Sequence, residues 1–169
     1  MSDHSPLTSP ALRPGGSEAE RLAVRCAQTM LGSDRATRDL GMQLVEVGPG
    51  RARLNMRIRD DMVNGHDVAH GGFIFTLADS AFAFACNTYD VVTVAQGASI
   101  EFVRSARRGN LLQAEAIERS RGRNTGVYDV TVTDEDDRII ACFRGKSFSL
   151  GRPILGSEPA PGTPAVDRT

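Results

Sequence analysis

At 169 residues, with 40% hydrophobic and 24% charged side chains, the chain has the size and composition of one packed domain, which excludes multidomain machinery and a disordered polymer. Twenty Lys and Arg against 21 Asp and Glu leave a net charge of −1, so no bulk positive field favours nucleic acid, and no run of about 18 apolar residues offers a membrane span. Lys146 is the single lysine among the basic residues, a compositional bias toward arginine. Cys26, Cys86 and Cys142 are scattered without a C-x-x-C pair, so reduced, mostly buried thiols are expected, with no metal and no cofactor.

Residues 1–16 carry Pro6, Pro10 and Pro14 and lack the apolar stretch of a secretory signal, so they read as a flexible tail of a cytoplasmic protein. Ser17-Glu18-Ala19-Glu20 has the spacing of a capping box and leads into Leu22, Ala23, Cys26, Ala27, Met30 and Leu31 at helical intervals, predicting a helix over 18–31 that Gly32 stops. Between Gly48 and Asn64, Ala52, Leu54, Met56 and Ile58 alternate with arginines and Asn55, the pattern of a strand with one buried face. Further strands are expected at Val91–Arg104, Leu111–Glu118, Thr125–Thr133 and Arg138–Phe148. Their short connections at 105–110, 120–124 and 134–137 point to an antiparallel meander. Residues 151–169, with four prolines, read as a second tail, leaving one domain over 17–150.

Residues 71–88 are the most apolar stretch and do not alternate. As a helix, their apolar residues cover most of the circumference and leave a narrow stripe of Thr76, Asp79, Ser80 and Asn87. Such a helix must be buried, and one central helix wrapped by an antiparallel sheet, an α+β architecture, satisfies that requirement. Asp79 is the anomaly, because an unpartnered buried carboxylate costs several kcal/mol or shifts its pKa upward. Either it faces solvent or a neighbour such as Ser80 or Asn87, or it works.

The loop Asn64-Gly65-His66-Asp67-Val68-Ala69-His70-Gly71-Gly72 ends in two glycines where the buried helix begins. Free N–H groups and the positive end of the helix dipole make that terminus a place for an oxyanion, and glycine permits close approach to the backbone. An amide donor, a carboxylate two turns on, and a nearby Asn and His are the parts of acyl transfer to water. His66 and His70 stand four apart but in a glycine-rich loop without an H-E-x-x-H pattern, which disfavours a metal site. His66 reads as a brace of the loop through a backbone bond. Ser80 lacks a G-x-S-x-G elbow.

At Asn64-Gly65-His66, His70-Gly71-Gly72, Phe75-x-Leu77-Ala78-Asp79-x-Ala81-Phe82-Ala83 and Ala85-Cys86-Asn87, the chain resembles the hotdog-fold acyl-CoA thioesterases of the PaaI type. The similarity extends over about 38–150 and includes Ile100-Glu101-Phe102-Val103-Arg104, where Ser105 replaces the usual proline. The resemblance implies five or six antiparallel strands around one long helix, and a homodimer paired into a dimer of dimers with active sites between subunits. It implies that Asp79 is the catalytic carboxylate, as general base or nucleophile, and that the Gly71 N–H polarises the thioester carbonyl. Asn64 would hold water or substrate, and His70 would orient the loop or carbonyl. The substrate would be an aryl- or arylacetyl-CoA, contacted at Gly72 and Phe75 and, through its phosphates, at Arg104, Arg107 and Arg123, with Arg108 and Arg121 similarly placed near strand ends. A hydroxyacyl-thioester dehydratase using His70 with Asp79, and a non-catalytic acyl-CoA-binding module, are the competing functions.

Overall fold

Helix α1 spans Glu18–Ser33 in a computed structural model that describes residues 16–156. The expected capping box forms: the Ser17 hydroxyl accepts from the Glu20 N–H at 3.2 Å while the Glu20 carboxylate accepts from the Ser17 N–H at 2.8 Å. The helix passes through Gly32 and ends at Asp34, whose N–H donates to the Met30 carbonyl. Asp34 also starts α2, Arg35–Asp39, its carboxylate accepting from both the N–H and the hydroxyl of Thr37. Side-chain capping, rather than glycine, sets this boundary.

Strand β1, Gln43–Gly48, went unseen in the sequence because a bulge between Leu44 and Glu46 breaks its alternation. Strand β2 is confined to Arg51–Arg57, within the longer alternating segment; beyond it, Asp60–Met62 form one 3₁₀ turn. The core helix α3 spans Gly71–Cys86, followed by β3 Thr93–Phe102, β4 Leu111–Arg121, β5 Thr125–Thr133 and β6 Ile139–Ser149. All pair antiparallel in the order β1-β2-β4-β5-β6-β3. The meander therefore holds for β4 to β6 but not for β3, which crosses to the far side of β6. There it is an edge strand that buries neither face within the protomer, against the expectation of one buried face.

The sheet wraps α3. Leu54 and Met56 of β2, Leu112, Ala114 and Ala116 of β4, Tyr128, Val130 and Val132 of β5, and Phe143 of β6 share a core with Ile74, Leu77, Ala78, Ala81, Phe82 and Ala85. Phe82 is the centre of the aromatic packing, 5.4 Å from Tyr128 and 5.9 Å from Phe143 between ring centroids. Gly145 makes room for it, since a Cβ there would lie 2.9 Å from the Phe82 ring.

The two expected tails fall mostly outside the described residues. Of the C-terminal one, Arg152 accepts from the Val92 N–H, and Asp90 accepts from the N–H groups of Ile154 and Leu155 at 3.0 and 2.9 Å, so the ordered fold continues past 150. Asn87, placed by sequence in the polar stripe, joins α3 to β3: its amide donates to the Ala83 and Thr93 carbonyls and its oxygen accepts from the Thr93 N–H. Asn87→Ala is expected to lower stability by about 1–3 kcal/mol, read as a lower urea midpoint by circular dichroism; an unchanged midpoint contradicts this structural role.

Candidate active site

The loop before α3 is built from backbone bonds that local chemistry dictates. The Asn64 side-chain oxygen accepts from the His66 N–H at 2.9 Å, closing an Asx turn, and the Asn64 N–H donates to the Val68 carbonyl. The Asn64 carboxamide NH₂ makes no hydrogen bond among the described residues. His66 braces this loop with its backbone N–H. Asp67 takes φ 56° at the turn, and Arg108 reaches across to it at 3.1 Å and to Asp60 at 3.6 Å. The N–H groups of Ala69 and His70 donate to the Ala106 and Met62 carbonyls, both at 2.8 Å. The loop is thus held from both sides.

His70 is the N-cap of α3, and its Nδ1 accepts from the Gly72 N–H at 3.0 Å. With Nδ1 accepting, the ring N–H is on Nε2, which has no hydrogen-bond partner among the described residues. The same bond occupies the Gly72 amide, while the Gly71 N–H has no acceptor among the described residues. It is a donor left at the positive end of the helix dipole. A Cβ at Gly71 would lie 2.9 Å from Cζ of Phe102, so a side chain there requires the Phe102 ring to move. Phe102 was not among the expected site residues. Its alternation with Ile100 marks an inward-facing position, but only the β3–β6 register carries its ring to Gly71.

Asp79 sits half-buried on α3 with no hydrogen bond or ion pair among the described residues. Burial raises its pKa above the ordinary carboxylate range. Neither neighbour partners it, because Asn87 is spent on Ala83 and Thr93. Thr76, in the same stripe, donates its hydroxyl to the Gly72 carbonyl at 2.8 Å. Gly71 and Asp79 are eight residues apart on α3, about 12 Å along the axis. One protomer therefore does not bring both groups to a single carbonyl carbon.

The thioesterase superfamily profile matches residues 66–141. The acyl-coenzyme A thioesterase PaaI of Escherichia coli is 38% identical over 130 residues, 77% of this chain and 93% of the relative. This chain belongs to the PaaI-type acyl-CoA thioesterases of that superfamily. The structure of the E. coli PaaI protein, from its phenylacetic acid degradation operon, superposes with a TM-score of 0.79 at 36% identity, covering 80% of this chain and 99% of that one. A Streptococcus mutans protein solved with acetyl-CoA matches with a TM-score of 0.65 at 27% identity, over 67% of this chain and 91% of that one.

The other expected substrate contacts are divided by the fold. In this thioesterase Phe75 packs edge-on against Phe143, ring centroids 5.5 Å apart, and is part of the core boundary. Arg104 donates to the Ile139 carbonyl, and Arg107 bridges Val68 of the Asn64 loop, so both lie at the sheet end that holds the start of α3. Arg123 lies in the turn between β4 and β5 at the opposite end, the length of β4 away, about 30 Å. Arg121 lies there too, with its guanidinium 3.9 Å from the centre of the Tyr89 ring. The arginines do not form one patch in a protomer. Burial pushes the Cys86 thiol up to about 12, which keeps it protonated and inert; Cys26 is also buried, whereas Cys142 is exposed on β6.

No helix among the described residues is long and apolar enough to cross a membrane. A raised carboxylate pKa has a fixed sign for stability: ionised Asp79 opposes folding in full above its folded-state pKa, and the penalty fades as pH falls through that pKa and is gone below the unfolded value. Asp79→Asn is therefore expected to raise the thermal midpoint at pH 7, with the gap to wild type closing on acidification; a lower midpoint for the variant at pH 7 contradicts the assignment.

Proposed function

We propose that this acyl-CoA thioester hydrolase acts on aryl- or arylacetyl-CoA, releasing the free acid and CoA at a site that a second copy of the chain completes. The observation that carries this reading is the separation on α3: a desolvated, unpaired carboxylate and an unoccupied amide, about 12 Å apart along one helix axis. A two-fold axis beside α3 sets the two helices antiparallel and brings Asp79 of one protomer to the partner's Gly71. The exposed edge of β3, with Val94, Phe102 and Val103 uncovered, supports pairing of that strand with its copy, since a free edge invites a partner strand. Ile117 and Phe148, exposed on the outer sheet face, favour a second contact that pairs dimers.

In this reading Asp79 removes a proton from water as the water oxygen bonds to the thioester carbon. A carboxylate raised toward neutral pH is a stronger base than an ordinary one. The carbonyl oxygen becomes an oxyanion that accepts from the Gly71 N–H at the positive end of α3. The carboxamide of Asn64 holds the water or carbonyl, and the Nε2–H of His70 orients the carbonyl. Collapse breaks the C–S bond, and the CoA thiolate leaves and takes the proton from Asp79. Arg104 and Arg107 stand at the right end of the sheet for CoA phosphates, whereas Arg123 reaches a site only from the partner. The arylacetyl preference is supported by the similarity to a protein of a phenylacetic acid degradation operon, and a cytoplasmic location follows from the substrate class. Hydrolysis is favoured over dehydration by membership in the acyl-CoA thioesterases.

Asp79→Asn is expected to lower kcat for phenylacetyl-CoA by about 10²- to 10⁴-fold, measured as thiol release with the protein's own thiols subtracted; unchanged turnover removes Asp79 from the mechanism. The wild-type rate falls as pH drops through the Asp79 pKa, so the acid limb of the kcat profile has its midpoint above the ordinary carboxylate range. The shared site has its own test. Asp79→Asn and Asn64→Ala, each impaired alone, are unfolded together and refolded, and random reassortment of a two-fold dimer then restores about a quarter of wild-type activity. No recovery in correctly assembled dimers places both residues in one chain's site.

A further inference from the structure

Phe102 is 53% exposed as a residue, yet its Cζ and both Cε atoms lie 2.9 to 3.4 Å from where a Cβ on Gly71 would stand. A phenylalanine half bare to solvent against the one free amide of a helix start is neither core nor ordinary surface. Its backbone is fixed: Phe102 pairs with Ala141 of β6, and the next two N–H groups both donate to the Ile140 carbonyl, at 2.8 and 3.2 Å. Its side chain is on the same sheet face as Ile100, directed at α3, so pairing of β3 with a second copy through the strand's free edge leaves the ring where it is.

We propose that Phe102 is the residue that selects aromatic acyl groups, its ring forming the wall against which the substituent next to the thioester carbonyl rests. The inference deepens the reading above, because it depends on Gly71 as the oxyanion donor. An oxygen accepting from the Gly71 N–H has its carbonyl carbon beside the Gly71 backbone, and the atoms that follow enter the space that the Phe102 ring borders. Aromatic pairs prefer offset or edge-to-face contact and gain beyond the area they bury. A straight alkyl chain obtains the burial without that gain. The ring lies close enough to Gly71 that a methyl at 71 would displace it, so the donor and the wall are neighbours.

The test compares wild type, Phe102→Ala, Phe102→Leu, Phe102→Tyr and Asp79→Asn as full-length protein, with kcat and KM measured on phenylacetyl-CoA and hexanoyl-CoA. Phe102→Ala and Phe102→Leu are expected to lose about tenfold in the ratio of kcat/KM for phenylacetyl over hexanoyl ester, while Phe102→Tyr keeps the ratio. Equal loss on both esters, or a ratio within twofold of wild type, overturns the proposal and leaves a structural role only. Should Phe102→Ala fail to fold, Phe102→Leu against Phe102→Tyr carries the same comparison. Failure of the underlying site looks different: Asp79→Asn then matches wild type on both esters, and the role of Phe102 falls with it.

Discussion

Burial of one broad face of α3 is the constraint on which the rest of this molecule depends. Ile74, Leu77, Ala78, Ala81, Phe82 and Ala85 are buried, whereas Thr76, Asp79, Ser80 and Ala83 form a stripe that the protomer covers only in part, so the sheet curves around the buried side. That curvature requires small residues where helix and sheet come closest, such as Ala114, Ala116 and Gly145. Phe82 fills the space that Gly145 leaves and meets Tyr128 and Phe143. Packing this dense fixes the height and rotation of the helix. It thereby fixes where the helix begins, and with it the direction of the Gly71 amide.

Two features go against the general preference for satisfied, covered groups. Asp79 is desolvated without a partner among the described residues, and β3 presents an edge with apolar side chains uncovered. Each costs stability in an isolated protomer. Under the proposed composite centre, a second copy across the β3 edge would cover the strand and set the carboxylate at a site between subunits. The helix rise between Gly71 and Asp79 is the separate argument for that proposal.

The loop ahead of α3 shows how rigidity is assembled without a deep core. Asn64 spends its oxygen on the turn and His70 spends one ring nitrogen on the cap, and the nitrogen each has left makes no hydrogen bond among the described residues. Arg108 ties this loop to Asp67 and Asp60, so an arginine that sequence position grouped with ligand contacts is occupied in holding the loop. Preorganised donors on a fixed backbone are what an oxyanion site needs.

Much of the architecture was legible because period and capping are local properties. The α1 capping box, the alternation of β2 and the all-round apolarity of 71–86 each follow from residues near one another in the chain. The bulged β1 was hidden because its pattern breaks, and the crossing of β3 to β6 was hidden because strand order is set by packing between distant segments. For the site, a glycine-ended helix terminus and a carboxylate in an apolar helix were visible in sequence, and the resemblance at Asn64, Gly71 and Asp79 pointed to the thioesterase family, to which the chain belongs. Which groups remain free after folding was decided only by the tertiary structure, which spends Asn87 on β3, the Gly72 amide on His70 and Phe75 on Phe143. Tertiary register also carried Phe102 to Gly71 and set Arg123 at the far end of the sheet from Arg104. The physical reason is that availability for chemistry is what hydrogen bonding and packing leave over, and that remainder exists only once the chain has closed on itself.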